Sequence, residues 1–369
     1  MIISHRIPAY LILFASTFSA CSKPAPPPEE TKPAVSAAPV ASAASVPSAA
    51  APMPSAAAPI PTPTGPTLKI AYSDWPGWVA WEIAIQKGWF KEAGVNVEFK
   101  WFDYVPSMDA FTAGKVDADS MTNGDALVTG SGGGKSVCIV ANDYSDGNDM
   151  IVGKPGIKTM ADLKGKKIGV EVGFVDHLLV LNALKSAGMT EKDVKIVNVK
   201  TDDTPTALKS GKVDAIAAWQ PNSGAALKEL PGSTPIFTSA NVPGLIYDHL
   251  CVSPRSLSEN RAEWLKVVKV WFRVVDYIAD PANLDDAAKL MSARVGLTPD
   301  VYKGLMKGTH LLNLAENQKH YAKAEGFDSI FGSSKIVDEF NVKNGVYKVA
   351  MKVDDYFDPS LVEEVAKSK

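Results

Sequence analysis

The sequence predicts an α/β protein built from two similar lobes, each a mainly parallel sheet flanked by helices. Strand-like and helix-like stretches alternate from Leu68 onward, which is typical of parallel sheets with helices on their faces. Three short segments of the first half also recur in the same order in the second. The clearest pair is residues 110–118 (AFTAGKVDA) and 207–215 (ALKSGKVDA). Two such lobes joined by two crossovers form the layout of a hinged ligand trap.

The N-terminal part predicts export rather than folding. Residues 1–20 have a weakly basic start and a short apolar run, as in a signal peptide. Small residues precede Cys21, as at a bacterial lipoprotein cleavage site, so we expect Cys21 to carry a lipid anchor; an ordinary secretory signal is the alternative. Residues 21–66 are rich in Pro, Ala and Ser and cannot bury a core, so they are interpreted as a linker.

Bulk composition excludes several classes of protein. The net charge of −3 gives no reason to expect nucleic acid or a membrane surface as a partner. The other two of the three cysteines, Cys138 and Cys251, lie in strand-like runs. We expect them to be buried free thiols, and a disulfide between them is the alternative in an oxidising compartment. No later segment is long and apolar enough to span a bilayer.

The folded part divides at two predicted crossovers. Residues 67–149 form the first part of lobe 1, residues 150–248 form lobe 2, and residues 249–369 return to lobe 1 with a strand and the C-terminal helices. Apolar residues from Trp264 to Val275 keep helical spacing, and Asp280-Pro281 ends that helix. These helices are expected to pack on lobe 1.

Several chemistries find no support in the sequence. The glycine run in residues 129–136 lacks the leading glycine of a phosphate-binding loop and follows a helix instead of a strand. The histidines have no metal-ligand spacing, and no nucleophile elbow is present. We therefore predict no metal, no cofactor and no catalysis.

The remaining candidates lie at predicted strand ends that face the cleft between the lobes. They combine acids and aromatic rings and include no arginine. Asp74 and Asp176 can also be interpreted as helix caps, Trp81 as a core residue, and the repeated Asp117 and Asp214 as structural. The predicted ligand-binding residues are Asp74, Trp75, Trp78, Asp125, Asp149, Glu171, Phe174, Asp176, Trp219 and Gln220.

This set of side chains favours a cation. A cation over a desolvated indole gains about 2 kcal/mol, and a planar guanidinium can form a two-point bond with a carboxylate. An anion would meet several carboxylates with nothing to neutralise it. Urea could form similar hydrogen bonds, but a closed site would then leave carboxylate charge unpaired, at a cost of roughly 3–5 kcal/mol.

The folded region resembles the taurine-, sulfonate-, nitrate- and thiamine-precursor-binding proteins of bacterial ABC importers. The resemblance rests on residues 84–98 (AIQKGWFKEAGVNVE), 160–170 (MADLKGKKIGV) and 218–221 (AWQP). It implies a type II periplasmic-binding-protein fold in a monomer. It also implies delivery of a small molecule to a membrane permease that a separate ATPase drives. The chain is also similar to a subgroup labelled as urea or guanidine importers.

Together these observations predict a lipid-anchored periplasmic binding protein for a small, nitrogen-rich, cationic solute, with guanidine or an amine first. Urea is the second choice and a sulfonate, taurine or nitrate the third. Two different classes stay open: an enzyme of the pyrimidine-precursor type on the same scaffold, and a tethered sensor domain.

Overall fold

A computed structural model describes residues 63–368. Within this range the eleven strands are β1 (Leu68–Tyr72), β2 (Val97–Trp101), β3 (Ala118–Thr122), β4 (Val137–Ser145), β5 (Met150–Gly153), β6 (Lys167–Val170), β7 (Lys195–Asn198), β8 (Ala215–Ala218), β9 (Thr234–Thr238), β10 (Tyr247–Val252) and β11 (Thr309–Leu311). The signal peptide, Cys21 and the linker up to residue 62 lie outside the described residues.

The α-helices of the described range fall into three groups along the chain. Those of the first part are α1 (Pro76–Val79), α2 (Trp81–Gln86), α3 (Trp89–Glu92), α4 (Tyr104–Thr112) and α5 (Asn123–Ser131). The middle part contributes α6 (Val175–Ser186), α7 (Thr204–Lys209) and α8 (Asn222–Glu229). The last part contributes α9 (Pro254–Glu259), α10 (Arg261–Ala279), α11 (Leu284–Arg294), α12 (Pro299–Met306), α13 (Leu314–His320), α14 (Ile330–Asn344) and α15 (Ser360–Lys367). None of the helices in residues 63–368 is long and apolar enough to cross a membrane.

The strands form two sheets, one in each lobe. The first has the order β11-β4-β10-β3-β1-β2 and the second the order β7-β6-β8-β5-β9. The α/β class and the two-lobe arrangement are therefore as predicted, but both sheets are mixed. Each crossover delivers a strand, β5 or β10, that starts at the cleft and runs antiparallel to its neighbours. Tyr247 and Asp248, which we had assigned to lobe 2, already belong to β10 of the first sheet.

The sequence repeat corresponds to a structural repeat. The Lys69 backbone N–H donates to Asp117 Oδ2 at 2.8 Å, and the Lys167 backbone N–H donates to Asp214 Oδ2 at 2.9 Å. Lys69 is the second residue of β1 and Lys167 is the first residue of β6, so each aspartate fastens the start of the corresponding strand in its lobe. The two residues have the structural role that their repetition indicated.

The core of lobe 1 is aromatic, and the C-terminal helices cover it. Trp81 is fully buried and packs against Trp271 of α10, with ring centroids 4.5 Å apart. Because α10 buries one face of Trp and Val side chains, it ends where that pattern ends, at Ala279. The expectation that Trp81 is a core residue and that these helices pack on lobe 1 is confirmed.

The interpretation of Cys138 and Cys251 as free thiols is wrong. They form a disulfide between β4 and β10, which are neighbours in the first sheet and place the two residues opposite each other. The bridge fastens the returning strand β10 to the strand that leaves lobe 1. It closes a loop with a sequence separation of 113, which restricts the unfolded chain.

Candidate ligand-binding site

The cleft between the lobes collects the strand ends that carry the candidate residues. β1, β3 and β4 of lobe 1 end there, as do β6, β8 and β9 of lobe 2, while β5 and β10 begin there. Ligands of open α/β sheets bind outside the carboxyl ends of parallel strands. In this chain, the first residues of the two crossover strands, β5 and β10, lie at the same edge.

A small cavity of about 10 Å³ lies in this cleft. It has room for about one water molecule, so a larger ligand requires the two lobes to separate. The residues around it come from both lobes and from the crossovers: Trp75, Trp78, Tyr104, Thr122, Asp149, Val175, Trp219, Ile246 and Asp248.

Four aromatic rings form the cavity wall. The Trp78 and Tyr104 ring centroids are 5.1 Å apart, and Tyr104 meets Trp219 of lobe 2 edge-on at 5.3 Å. Trp75 lies beside Trp78 at 6.5 Å. All four side chains are buried. Such a group of rings presents several π faces, which attract a cation.

Three aspartates from the strands and the first crossover lie against this aromatic wall. Asp143 on β4 and Asp248 on β10 are paired residues in the sheet, and their carboxyl groups are close enough to share a hydrogen bond. Asp143 Oδ1 also accepts from the Trp75 indole N–H at 2.9 Å. The second oxygen of each, and Oδ2 of Asp149, has no hydrogen-bond donor among the described residues.

Two more aspartates, each in the first turn of a helix, complete the cluster. Asp176 in the first turn of α6 has no partner for either oxygen within residues 63–368. Asp125 in the first turn of α5 accepts from the Tyr104 hydroxyl at 2.8 Å and from the Val175 backbone N–H of lobe 2 at 3.3 Å. Asp125 thus connects the two lobes directly beside the cavity.

Burial raises the pKa of every acid in this cluster. It raises the pKa values of Asp125, Asp143 and Asp149 to about 7. Burial, together with neighbouring carboxyl charges, raises the pKa values of Asp176 and Asp248 well above the usual range. Ion pairs within residues 63–368 involve none of these five aspartates. The site therefore concentrates potential negative charge without a basic side chain to neutralise it.

Asp74 lies in the cleft but contacts protein groups instead of the cavity. Its Oδ1 accepts from the Trp219 indole N–H at 2.8 Å and its Oδ2 from Asn222 Nδ2 at 3.1 Å. Both donors belong to lobe 2. Burial raises the pKa of Asp74 to about 7. Asp74 is thus a bridge between the lobes, and the Trp219 ring that it orients forms part of the cavity wall.

Of the ten predicted binding residues, four line the cavity and the structure places the others around it. Trp75, Trp78, Asp149 and Trp219 are in the lining, Asp125 and Asp176 are next to it, and Asp74 lies behind Trp219. Glu171 accepts from the Thr201 hydroxyl at 3.0 Å and is half-buried. Phe174 directly precedes α6 without a side-chain capping bond, and Gln220 packs against Gly224. These last three do not line the cavity.

Sequence reasoning missed six residues of the site: Tyr104, Thr122, Asp143, Val175, Ile246 and Asp248. Asp143 and Asp248 lie at the two predicted crossovers, where polar residues are common, so the sequence did not indicate that they are buried in neighbouring strands. Tyr104 gave no local signal, since its role depends on helix α4 meeting Trp219 of the other lobe.

No group of three or more His, Cys, Asp or Glu side chains in residues 63–368 has an arrangement suited to a metal ion. The acidic cluster and the aromatic wall together suit an organic cation, which can lie over the ring faces.

The fold and the cleft define a two-lobe α/β protein of the periplasmic-binding-protein type. The periplasmic aliphatic sulphonate binding protein SsuA of Escherichia coli superimposes with a TM-score of 0.66 over 79% of this chain and 92% of that one, at 19% identity. The desulfurization enzyme DSZB shares the fold with a TM-score of 0.60 over 82% and 99% of the two chains, at 15% identity.

Residues 76–283, more than half of the chain, match the model of the NMT1/THI5-like family, and the chain belongs to this family. A binding protein of Brucella abortus is 32% identical over 167 residues, which are 45% of this chain and 51% of the relative. The chain thus spans about half the length of this relative. A Bacillus subtilis protein named for binding aliphatic sulfonates is 26% identical over 73% of this chain and 83% of its own length.

Proposed function

We propose that this protein is the substrate-binding component of an ABC importer and that it captures a small, nitrogen-rich cation, guanidinium or a simple amine. The observation that carries the proposal is a group of three buried carboxyl oxygens without a hydrogen-bond donor among residues 63–368, namely Oδ2 of Asp143, Asp149 and Asp248. Buried charges need a partner of opposite sign, and the protein provides none at this place.

The aromatic wall supports the same class of ligand. Indole and phenol rings attract a cation over their faces, and Trp75, Trp78, Tyr104 and Trp219 surround the cavity. Because the cavity has room for about one water molecule, guanidinium and methylammonium need some separation of the lobes, and an alkylsulfonate needs a wider one.

Two other ligand classes, sulfonates and urea, are weighed against a cation. The name of the Bacillus subtilis relative favours a sulfonate, but an anion here would lie against Asp149 and Asp248 with no cation to balance it. Urea has the shape of guanidinium and could bind protonated carboxyl groups. It would not stabilise their ionised form, which is the form expected above the pKa of about 7 that burial gives to Asp149.

The same proposal includes the setting of the protein. We place it in the periplasm, with delivery to a permease driven by a separate ATPase. Binding, instead of catalysis, is its function, even though the enzyme DSZB has the same fold. A lipid anchor at Cys21 stays a prediction from the sequence.

A ligand panel tests the proposed class. The purified protein is titrated at pH 8 with guanidinium, methylammonium, urea, taurine and nitrate at millimolar concentrations, and tryptophan fluorescence is recorded. Three of the rings around the cavity are indoles, Trp75, Trp78 and Trp219, so occupancy is expected to change the emission. We expect saturable changes with one of the two cations and none with taurine or nitrate.

The matched control is Asp248→Asn, which keeps the size of the side chain and removes its charge. This variant is expected to weaken cation binding at least about tenfold, equivalent to about 1.4 kcal/mol. Saturable binding of taurine or nitrate, with no response to either cation, would contradict the proposed ligand class.

A further inference from the structure

We propose that Asp143 and Asp248 form a proton-holding pair at which the incoming cation takes the place of a proton, so that capture is coupled to proton release. This inference rests on the proposed function, because it concerns how the same site accepts a cation. In addition to the negative charge of the whole cluster, Asp143 and Asp248 contribute a proton that the ligand displaces.

The geometry of two neighbouring strands produces the pair. Asp143 and Asp248 are opposite each other on β4 and β10, and both side chains are fully or almost fully buried. Asp143 is oriented by the Trp75 indole N–H, and Gly77 leaves the space that its Oδ2 occupies. Asp248 reaches the cavity itself. Two carboxyl groups in contact cannot both ionise without a large cost, so the pair holds one proton between them.

Every titratable group that bears on the pair is an acid or a phenol. Asp149 comes from the first crossover, Asp125 from α5 and Tyr104 from α4. Asp176 faces the cluster from α6 of lobe 2. The charge of Asp143 also acts on the phenol of Tyr302 in α12. Since none of these groups supplies positive charge, the resident proton is the counter-ion of the pair in the absence of a ligand.

A monocation placed beside Asp248 changes this balance. The cation supplies one positive charge, the shared proton leaves to solvent, and the total charge of the closed site stays the same. No bond other than the O–H bond of the carboxyl group breaks. Linkage then requires cation affinity to rise with pH over the range in which the free pair is still protonated. A neutral ligand of the same shape would have no reason to displace the proton.

Calorimetric titration tests the exchange. The protein is titrated with guanidinium chloride, and separately with methylammonium chloride, at pH 7 in phosphate and in MOPS, two buffers with different ionisation enthalpies. The difference in observed heat gives the number of protons released. We expect about one proton per cation and, accordingly, a dissociation constant about 100-fold larger at pH 6 than at pH 8. Titration with urea, if it gives heat, is expected to release none.

Two substitutions test whether the released proton comes from Asp143 and Asp248. Asp248→Asn and Asp143→Asn should each abolish most of the proton release, and each keeps the shape of the side chain. The control is Asp119→Asn on β3, an equally buried carboxyl that accepts from Ser107 and does not line the cavity. This control should release protons as the unchanged protein does.

The outcomes separate this inference from the proposed function. Saturable cation binding with no proton release, or with undiminished release in both Asp248→Asn and Asp143→Asn, would overturn the exchange and leave the cationic ligand class in place. Absence of any cation binding would overturn both. Proton release that disappears in Asp248→Asn and Asp143→Asn but persists in Asp119→Asn supports the pair.

Discussion

At the scale of single residues, Gly77 determines where the carboxyl group of Asp143 can lie. A methyl group at Gly77 would overlap Asp143 Oδ2. Gly77 is the second residue of the short helix α1, which follows Trp75. The close approach lets the Trp75 indole donate to Asp143, and it keeps the carboxyl group of Asp143 within hydrogen-bonding reach of Asp248.

We therefore predict that Gly77→Ala destabilises the protein by about 1–3 kcal/mol, as expected for an overpacked core. It should also weaken cation binding, because Asp143 must move away from Asp248. Thermal unfolding and the fluorescence titration measure the two effects.

Gly304→Ala is the matched control for this substitution. Gly304 lies in α12, and a Cβ atom there would meet no atom within 4 Å. Alanine is favoured over glycine within a helix by about 0.5–1 kcal/mol, so this variant should be as stable as the unchanged protein or more so. Equal stability of the two variants would contradict the role given to Gly77.

The residues of the site differ in how far the sequence could predict them. Trp75 and Trp78 were predictable because a strand that ends in a turn before a helix marks a ligand-binding edge. Asp143 and Asp248 were not assigned, since their proximity depends on the pairing of β4 with β10. Pairing between strands about 100 residues apart in sequence is a tertiary property that local patterns do not encode.

At the scale of structural elements, the two crossovers distinguish this fold from a simple repeat. The repeat was readable in the sequence, and Asp117 and Asp214 make the same hydrogen bond in each lobe. The sequence did not predict the direction of β5 and β10, because parallel and antiparallel pairs are formed by the same types of residue. The same limit explains the disulfide between Cys138 and Cys251, which needs β4 next to β10.

The loop after β1 holds the two lobes together through Asp74. Its carboxyl group accepts from Trp219 and from Asn222 on lobe 2. A hydrogen bond of this kind contributes about 0.5–1.5 kcal/mol. Asp74→Ala should therefore weaken cation binding about tenfold, because the arrangement with the lobes in contact loses both bonds; calorimetric titration measures the change.

Asp202→Ala is the control for this bridge. Asp202 also accepts from Asn222, at 3.4 Å, but it lies in lobe 2 and does not connect the lobes. Its removal should change the affinity less than about twofold. An unchanged affinity in Asp74→Ala would show that the bridge does not contribute to ligand capture.

At the scale of the whole molecule, the buried acids make stability depend on pH in an uncommon direction. Burial raises the pKa values of Asp74, Asp125, Asp143 and Asp149 from 3.8 to about 7. Between these two values the folded protein binds more protons than the unfolded chain. The stability that these protons provide is complete below about pH 4 and is lost as pH rises through about 7.

We predict that the melting temperature of the ligand-free protein falls between pH 5.5 and pH 8 by at least about 5 °C, measured by circular dichroism. The fall should be smaller in Asp248→Asn, which has one buried carboxyl fewer, and smaller in the unchanged protein saturated with a cation. A melting temperature that rises over this range in all three samples would contradict the assignment of raised pKa values to the cluster.

The central claim is that the cleft recognises positive charge, and the direct measurement compares guanidinium with urea. The two molecules are planar, have the same number of heavy atoms and differ in charge. We predict that at pH 8 guanidinium binds at least about tenfold more tightly than urea, and that this preference is lost in Asp248→Asn. Equal affinities, or tighter binding of urea by the unchanged protein, would contradict the account.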